Sequence, residues 1–312
     1  MSADGTVSRD QAEVAPGAAV PAGPCSSEPK LPAKRPALWR EVARRRTAAA
    51  GFLTLATIVL LAVLAPVLPI VDPNAIHAAD RLAAAGTKGY VLGADELGRD
   101  LLSRIIWGGQ ISLMAGVVAT TLAMLLGTPL GLTAASYGGR MDDILMRLTD
   151  VVLAFPLVLL AIGIVAALGP GLLNTMVAVA LAGFPLYARV VRGSALSARE
   201  MDYILAPKAV GASNLRIMIR HLLPNIFAPL LVTFTLDVGQ KIVITSSLSF
   251  LGLGAQPPTA DWGSMIATGR NYIRNASHLI FVPGAAIFAV VLSLNLVGDA
   301  LRDALDPRMQ RR

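Results

Sequence analysis

Charge is what this sequence has least of. Only 15% of its 312 residues are Asp, Glu, Lys or Arg, against about 25% in a soluble globular domain. With 54% apolar residues and a mean hydropathy of +0.62, a water-soluble enzyme is excluded. Aromatic residues are 5%, too few for a membrane β-barrel, which needs aromatic girdles and period-two alternation. Cysteine is reduced to Cys25, so no intrachain disulfide forms. Ala22-Gly23-Pro24 before it has the look of a lipoprotein cleavage site. The residues upstream hold Asp4, Arg9, Asp10 and Glu13 and no apolar run, so lipidation is rejected. Catalytic motifs are missing too. None of Lys30, Lys34, Lys88, Lys208 and Lys241 follows a glycine, so there is no phosphate-binding P-loop. HExxH and GxSxG are absent. His77, His221 and His278 are scattered over loops on different sides of the predicted membrane and make no metal site. The chain carries no chemical machinery and no cofactor of its own; its energy must come from an ion gradient or a partner.

What is present is long apolar runs. The length suits either two soluble domains or about six spans of roughly 20 residues. The runs are Thr47–Ile70, Ile111–Ala135, Ile144–Leu168, Leu172–Ala188, Ile226–Phe250 and Leu279–Gly298. The third starts with a charged turn, so its fully apolar part is Val151–Leu168; the fourth carries a kinking Pro185. Residues 1–36 are rich in Ala, Pro, Ser and Gly and cannot bury enough surface to offset chain entropy. The basic block Arg40–Arg46 ahead of the first run resembles a twin-arginine signal, but the run is long enough for a retained span. With the N-terminus inside, twenty Lys and Arg fall in inner segments, six in outer ones, and Lys241 inside a span. The positive-inside rule then puts both termini in the cytoplasm, which also explains the net charge of +7.

The expected organisation is an all-α membrane protein with six transmembrane helices. Residues 1–46 form a disordered basic cytoplasmic tail, 47–70 the first span and 71–110 an extracytoplasmic loop with an interfacial helix. Residues 111–303 form a five-helix core that includes a cytoplasmic loop at 190–223, and 304–312 a basic tail. Gly127 and Gly131 form GxxxG, which lets helix backbones approach, with a bending Pro129 between them.

The loop Val190–Leu223 is too long for a mere connection. Ser213 is a plausible N-cap. Leu215, Met218, Ile219 and Leu222 then line one helix face, and Pro224 stops that helix. Asp202–Ala206 reads as a short helix with Gly211 as its left-handed terminator. This helix, glycine turn, helix unit either packs beneath the bundle or docks a cytoplasmic protein. On the outside, Leu101, Leu102, Ile105 and Ile106 predict an interfacial helix over Gly93–Trp107, with Arg99 and Arg104 at headgroups and weak ion pairs among Asp95, Glu96, Arg99 and Asp100. Gly252, Gly254, Pro257 and Pro258 exclude a span at Gly252–Trp262, and Trp262 suits the membrane interface. Asp237 lies about 17 Å into a core roughly 30 Å thick. With Lys241 it can form an i, i+4 pair. The two charges either face a translocation path or a partner, or only fix packing. Arg147 with Asp143 and Asp150 is expected as an ion cluster at the cytoplasmic end.

"AVGASNLRIMIRHLLPN" resembles the EAA loop of binding-protein-dependent ABC import permeases. Ala206, Gly211, Leu223 and Pro224 match that motif; Leu205-Ala206-Pro207 stands in place of Glu-Ala-Ala, and His221 in place of Ile. From about Leu64 to Arg308, Leu92–Leu113, Met146–Ile162, Tyr187–Gly193, Ser247–Met265 and Asn295–Arg308 resemble the C-type subunit of the dipeptide/oligopeptide branch, which includes nickel importers. The resemblance implies a bacterial cytoplasmic-membrane permease, not itself an enzyme, in a heterodimer with a B-type permease. It implies two ABC ATPases that bind ATP and Mg, and an extracytoplasmic solute-binding protein that delivers peptide. Tyr203, Ile204, Leu205, Ala206, Gly211, Ala212, Ser213 and Pro224 become the ATPase-coupling residues, Asp237 and Lys241 a candidate path, and Leu251, Gly252 and Trp262 a candidate outer gate that otherwise is a rigid turn. The alternatives are import of nickel or another small solute, an ion-coupled secondary transporter using Asp237 and Lys241, and a non-transporting scaffold.

Overall fold

The computed structural model describes residues 46–87, 89–201, 204, 207 and 210–305. Most of both expected tails therefore lies outside the described residues, as do Tyr203, Leu205 and Ala206 of the coupling set. Among the described residues, eight helices carry the fold: α1 Arg46–Leu64, α2 Leu101–Tyr137, α3 Gly139–Leu153, α4 Leu157–Leu168, α5 Leu172–Arg199, α6 Asn214–Phe250, α7 Trp262–Gly269 and α8 His278–Leu305. Among the described residues, β structure amounts to two isolated bridges. Helices α1, α2, α5, α6 and α8 are each long and apolar enough to cross a membrane, and α3 with α4 make a sixth span if counted as one.

That sixth span is not the straight helix expected from its hydropathy. Pro156 lacks an N–H, and its ring would clash with the Val152 carbonyl in a continuing helix. The chain bends by 87° between α3 and α4. Helix α4 alone has 12 residues, about 18 Å, short of a core of roughly 30 Å.

Helix α2 has 37 residues, about 55 Å, and overshoots the same core. Its N-cap is Asp100, which accepts from the Ser103 N–H at 2.8 Å. The interfacial helix expected over Gly93–Trp107 is therefore absent as a separate element: the segment is a loop up to Asp100 and the first turns of α2 after it. Nor do its charges face headgroups. Asp95, Arg99 and Arg104 are buried. Arg99 binds Asp95 at 2.6 Å and Glu96 at 3.0 Å, while Arg104 lies 3.4 Å from Asp95 and donates to the Pro73 carbonyl at 3.0 Å. This network staples the 71–100 loop to the start of α2.

Backbone contact between α2 and α5 organises the rest. A Cβ added at Gly127 would strike the Phe184 carbonyl, Tyr187 and Ala188, and one at Gly131 would strike the Ala188 carbonyl, Val191 and Arg192. Ala119, Ala123, Ala134 and Ala135 extend the same small-residue face and are fully buried. Small residues at this spacing let two helices touch along their main chains, the packing available where lipid removes the hydrophobic drive. Two ion pairs tie α3 to α5: Arg192 grips Asp142 with both nitrogens at 2.6 Å, and Arg189 reaches Asp150 at 2.6 Å. The expected cluster around Arg147 is thus replaced, because Asp150 has turned to α5.

Gly127→Leu or Gly131→Leu is expected to force α2 and α5 apart, at about 1–3 kcal/mol or more. The thermal unfolding midpoint of the detergent-solubilised protein measures it, with Gly163→Leu, where an added side chain meets open space, as the unaffected control.

Candidate functional site

Three features stand out: the segment at 204–222, a buried charge pair in mid-bundle, and the loop after Phe250 that closes the opposite end of α6. In the hairpin, Ile204 and Pro207 have helical conformation. Gly211 has φ +82° and the Ala212 N–H reaches back to the Pro207 carbonyl at 3.0 Å. This is the six-to-one closure of a glycine-terminated helix, with an L side chain disfavoured at Gly211. Ser213 then caps α6, its hydroxyl accepting from the Arg216 N–H at 3.4 Å. So the glycine turn and the cap sit where the sequence put them.

The helix that follows does not stop at Pro224. It widens into a π turn at Met218–Leu222 and runs on into the span. Proline lacks a donor and clashes with the carbonyl four residues back; the wider turn relieves both, and the Asn225 amide donates to the His221 carbonyl at 2.8 Å. The extra residue per turn also splits the expected apolar stripe. Met218 and Leu222 pack with Ile204, Ile217 and Ile226 in the core. Leu215 and Ile219 stay 60% and 58% exposed on the other side, and Val210 before them is 87% exposed.

Asp237 and Lys241 are buried at 3% and 1% exposure. Lys241 Nζ lies 3.4 Å from Asp237 Oδ1, and the Tyr187 hydroxyl donates to Oδ2 at 3.0 Å. Gly183, one turn before Tyr187 on α5, leaves the room that the ammonium occupies: a Cβ there would collide with Nζ. Periodicity within α6 gave no sign of Tyr187, which lies 50 residues from Asp237. A glycine and a tyrosine four apart on one face of α5 is the only signal the sequence held.

In the loop after α6, Gly252 has φ +81° and the Leu253 N–H bonds the Leu248 carbonyl at 2.9 Å, the same glycine closure as at Gly211. The Leu253 carbonyl accepts from the Gly171 N–H at 3.0 Å and the Thr175 hydroxyl at 2.9 Å, which fixes the loop to the start of α5. Leu251 is exposed and Trp262 buried. Trp262 is therefore not an interface anchor. Its indole donates to the Ile105 carbonyl at 3.0 Å, and its ring fills the space left by Gly108 and Gly109. Asp261 caps α7 by accepting from the Ser264 N–H at 3.1 Å. Ser112 donates to Asp261 at 2.9 Å and accepts from the Trp262 N–H at 3.2 Å. Burial pushes the Asp261 carboxyl above the usual carboxylate range, against hydrogen bonds from Ser264, Ser112, Ser249 and Gly263.

Residues 127–311 match the family described as binding-protein-dependent transport system inner membrane component. A putative peptide transport system permease of Brucella suis is 46% identical over 271 residues, covering 87% of this chain and 91% of its own. The dipeptide transport system permease DppC of Alkalihalophilus pseudofirmus is 41% identical over 276 residues, covering 87% and 90%. The glutathione transport system permease GsiD of Pectobacterium atrosepticum is 42% identical over 272 residues, with the same coverage. A chain of the methionine ABC transporter MetNI in an inward-facing conformation shares the fold, with a TM-score of 0.54 at 18% identity over 66% of this chain and 98% of that one. The chain belongs to the binding-protein-dependent transport system inner membrane components. It is a multi-pass transport subunit of the inner membrane.

Removing one member of the buried pair strands the other in low dielectric. Lys241→Met is expected to cost about 3–5 kcal/mol, and Lys241→Met with Asp237→Leu much less than the sum of the singles; a thermal-unfolding double-mutant cycle measures this. The raised carboxyl of Asp261 means that the folded state holds its proton more tightly than the unfolded chain does. Stability should therefore fall as pH rises from about 4 and level off above the folded value. Asp261→Asn keeps the cap and should flatten that fall, seen as a Tm less sensitive to pH.

Proposed function

We propose that this chain is the transmembrane half of an ATP-driven importer of di- and oligopeptides. It pairs with a homologous B-type permease, takes cargo from an extracytoplasmic binding protein and is driven by two ABC ATPases that hold the ATP and Mg. Hydrolysis belongs to those partners. Both termini lie in the cytoplasm, following the excess of Lys and Arg in the inner segments. The reported relatives support the cargo class, since all three are named for peptides or for glutathione, itself a tripeptide.

The observation that carries the coupling role is continuity. The hairpin is not hung from the bundle by a loop; it enters α6 through one unbroken 37-residue helix. The face holding Leu215 and Ile219 is exposed, as is Val210, and Arg216 and Arg220 follow Leu215 and Ile219 in sequence along the helix. Such a face fits an apolar groove with an acidic rim on the ATPase. Ile204, Gly211, Ala212, Ser213 and Pro224 form the described part of the coupling set; Tyr203, Leu205 and Ala206 complete it. The ATPases bias the outward- and inward-open states through their differential affinity for the two hairpin positions. In this scheme Leu251 and Gly252 are the moving lip of the outer gate, and Trp262 is its fixed post on α2. Asp237 and Lys241 hold α6 to α5 in one state and face the path in the other.

Purification from native membranes tests the class: two ATPases, a sister permease and a binding protein should come down together. Gly211→Leu should leave insertion and assembly intact while ATP hydrolysis no longer drives dipeptide uptake in proteoliposomes, a loss of at least about tenfold for the roughly 1.4 kcal/mol that a strained left-handed leucine costs. Uptake at the original rate by that variant would remove the hairpin from the mechanism.

A further inference from the structure

The end of α6 beyond the charge pair is fastened by a carboxyl group. Asp261 is buried at 2% exposure and touches three helices. Its Oδ1 accepts from the Ser112 hydroxyl of α2 at 2.9 Å, and its Oδ2 accepts from the Ser264 N–H of α7 at 3.1 Å. On α6, Ser249 hydrogen-bonds the same carboxyl. A buried hydroxyl in a helix can turn back to the carbonyl four residues earlier, as Thr245 does with Lys241 at 2.9 Å. Ser249 reaches across to the neighbouring element instead.

The bonds of Asp261 do not share one backing. Ser112 and the cap at Ser264 seat it on the α2 side, where Trp262 fills the slot at Gly108 and Gly109. The Leu253 carbonyl is held by Gly171 and Thr175 of α5. Helices α2 and α5 meet backbone to backbone at Gly127 and Gly131 and make one frame. The segment from Leu253 to Asp261 is therefore tied to that frame at both ends. It clasps the last turn of α6: a Cβ at Gly254 would strike Ser249. Gly263 of α7 also lies against the Ser246 backbone, a contact of shape alone. Ser246, one turn before Ser249, is buried as well, but its hydroxyl has no hydrogen-bond partner among the described residues.

We propose that the Ser249–Asp261 bond is a latch, which holds the last turn of α6, with Leu251 and Gly252, against the α2–α5 frame and parts when the gate opens. Asp261 is then a positioning residue of the transport cycle. The proposal rests on the reading of Leu251 and Gly252 as a gate. A hydrogen bond suits this task because it is lost within a displacement of about 1 Å. A serine hydroxyl both donates and accepts, so the latch holds whether the carboxyl is charged or neutral. Once Ser249 leaves, Ser112 and Ser264 still serve the carboxyl, and opening strands no buried acid.

The test uses the complex as it purifies from native membranes, in lipid nanodiscs. Cys25 is the only cysteine of the chain, so Cys25→Ser with Val179→Cys leaves it one thiol. Val179 of α5 is fully buried in a cluster with Ile244 and Leu248 of α6, and lifting the end of α6 uncovers it. Mass spectrometry of this chain follows its reaction with a sulfonated maleimide, at rest and after arrest of hydrolysis by vanadate with ATP and the binding protein. The parent should react slowly at rest and fast when arrested. Ser249→Ala should react about tenfold faster at rest, the effect of one lost hydrogen bond on a local opening equilibrium. Ser246→Ala loses no bond, and Asp261→Asn keeps a partner for Ser249; both should stay slow. A Ser249→Ala variant as slow as the parent overturns the latch. Ser246→Ala as fast as Ser249→Ala does so too, because the end of α6 is then merely loosened. An arrested complex no faster than the resting one makes the bond a permanent joint and also ends the proposal. The resting rates need no ATPase, so they judge the latch even where the ATP-driven reading fails.

Discussion

The contact between α2 and α5 sets the position of everything else. In lipid, two apolar helices gain little by hiding from water, so they hold together only where their backbones fit closely. Gly127 and Gly131 provide that fit, and α5 thereby becomes the fixed member against which the other elements are referenced. Tyr187 and Gly183 on α5 receive the charge pair of α6. Arg189 and Arg192 hold α3. Gly171 and Thr175, at its other end, hold the turn after α6. One helix thus carries polar contacts at both ends and in the middle. In the middle no water is on hand to satisfy a stranded group, so a partner must be built in.

The same glycine closure flanks α6, ending the helical turn before it at Gly211 and α6 itself at Gly252. Gly211 precedes it and Gly252 follows it, both with positive φ, and in each case the next N–H bonds a carbonyl five residues back. Such closures satisfy carbonyls that a helix end otherwise leaves open. Between them α6 carries a π turn at Met218–Leu222 and, two turns further on, Pro229 inside the helix. Both lie in the first half of α6, where the 204–222 segment joins the span.

The long helices, the glycine turn at Gly211 and the Ser213 cap were legible because each depends on local chemistry: runs of apolar residues, a left-handed residue, a capping hydroxyl. What escaped depends on distant partners. Asp95, Arg99 and Arg104 read as surface charges because their pattern is amphipathic, yet the 71–100 loop folds over them. Trp262 has the composition of an interface anchor, but Gly108 and Gly109, some 150 residues earlier in the chain, leave a slot for it. Pro224 is a helix stop by local rules, and one wide turn was enough to carry the helix past it. Pro156, also a breaker, did bend the chain; there the flanking helix α3 had salt bridges to α5 that held it off the axis of α4.

The consequence for a driven transporter lies in which groups move together. In the proposed coupling, a force on the hairpin enters α6 at Asn214 and is carried along one helix toward Phe250, past the π turn and two prolines. Asp237 and Lys241 lie partway along, buried against α5. Any rotation of α6 large enough to displace Leu251 would also draw the pair away from Tyr187 and Gly183. Separating them leaves charges without partners in low dielectric, and that state persists only if water or cargo reaches them as they part. On the proposed path, a charge pair in this position would oppose movement of the helix while the path is dry and cease to oppose it once polar cargo or water is present. Loading of the path and motion of the hairpin would then be linked through α6 itself, without a separate relay between the two faces of the membrane.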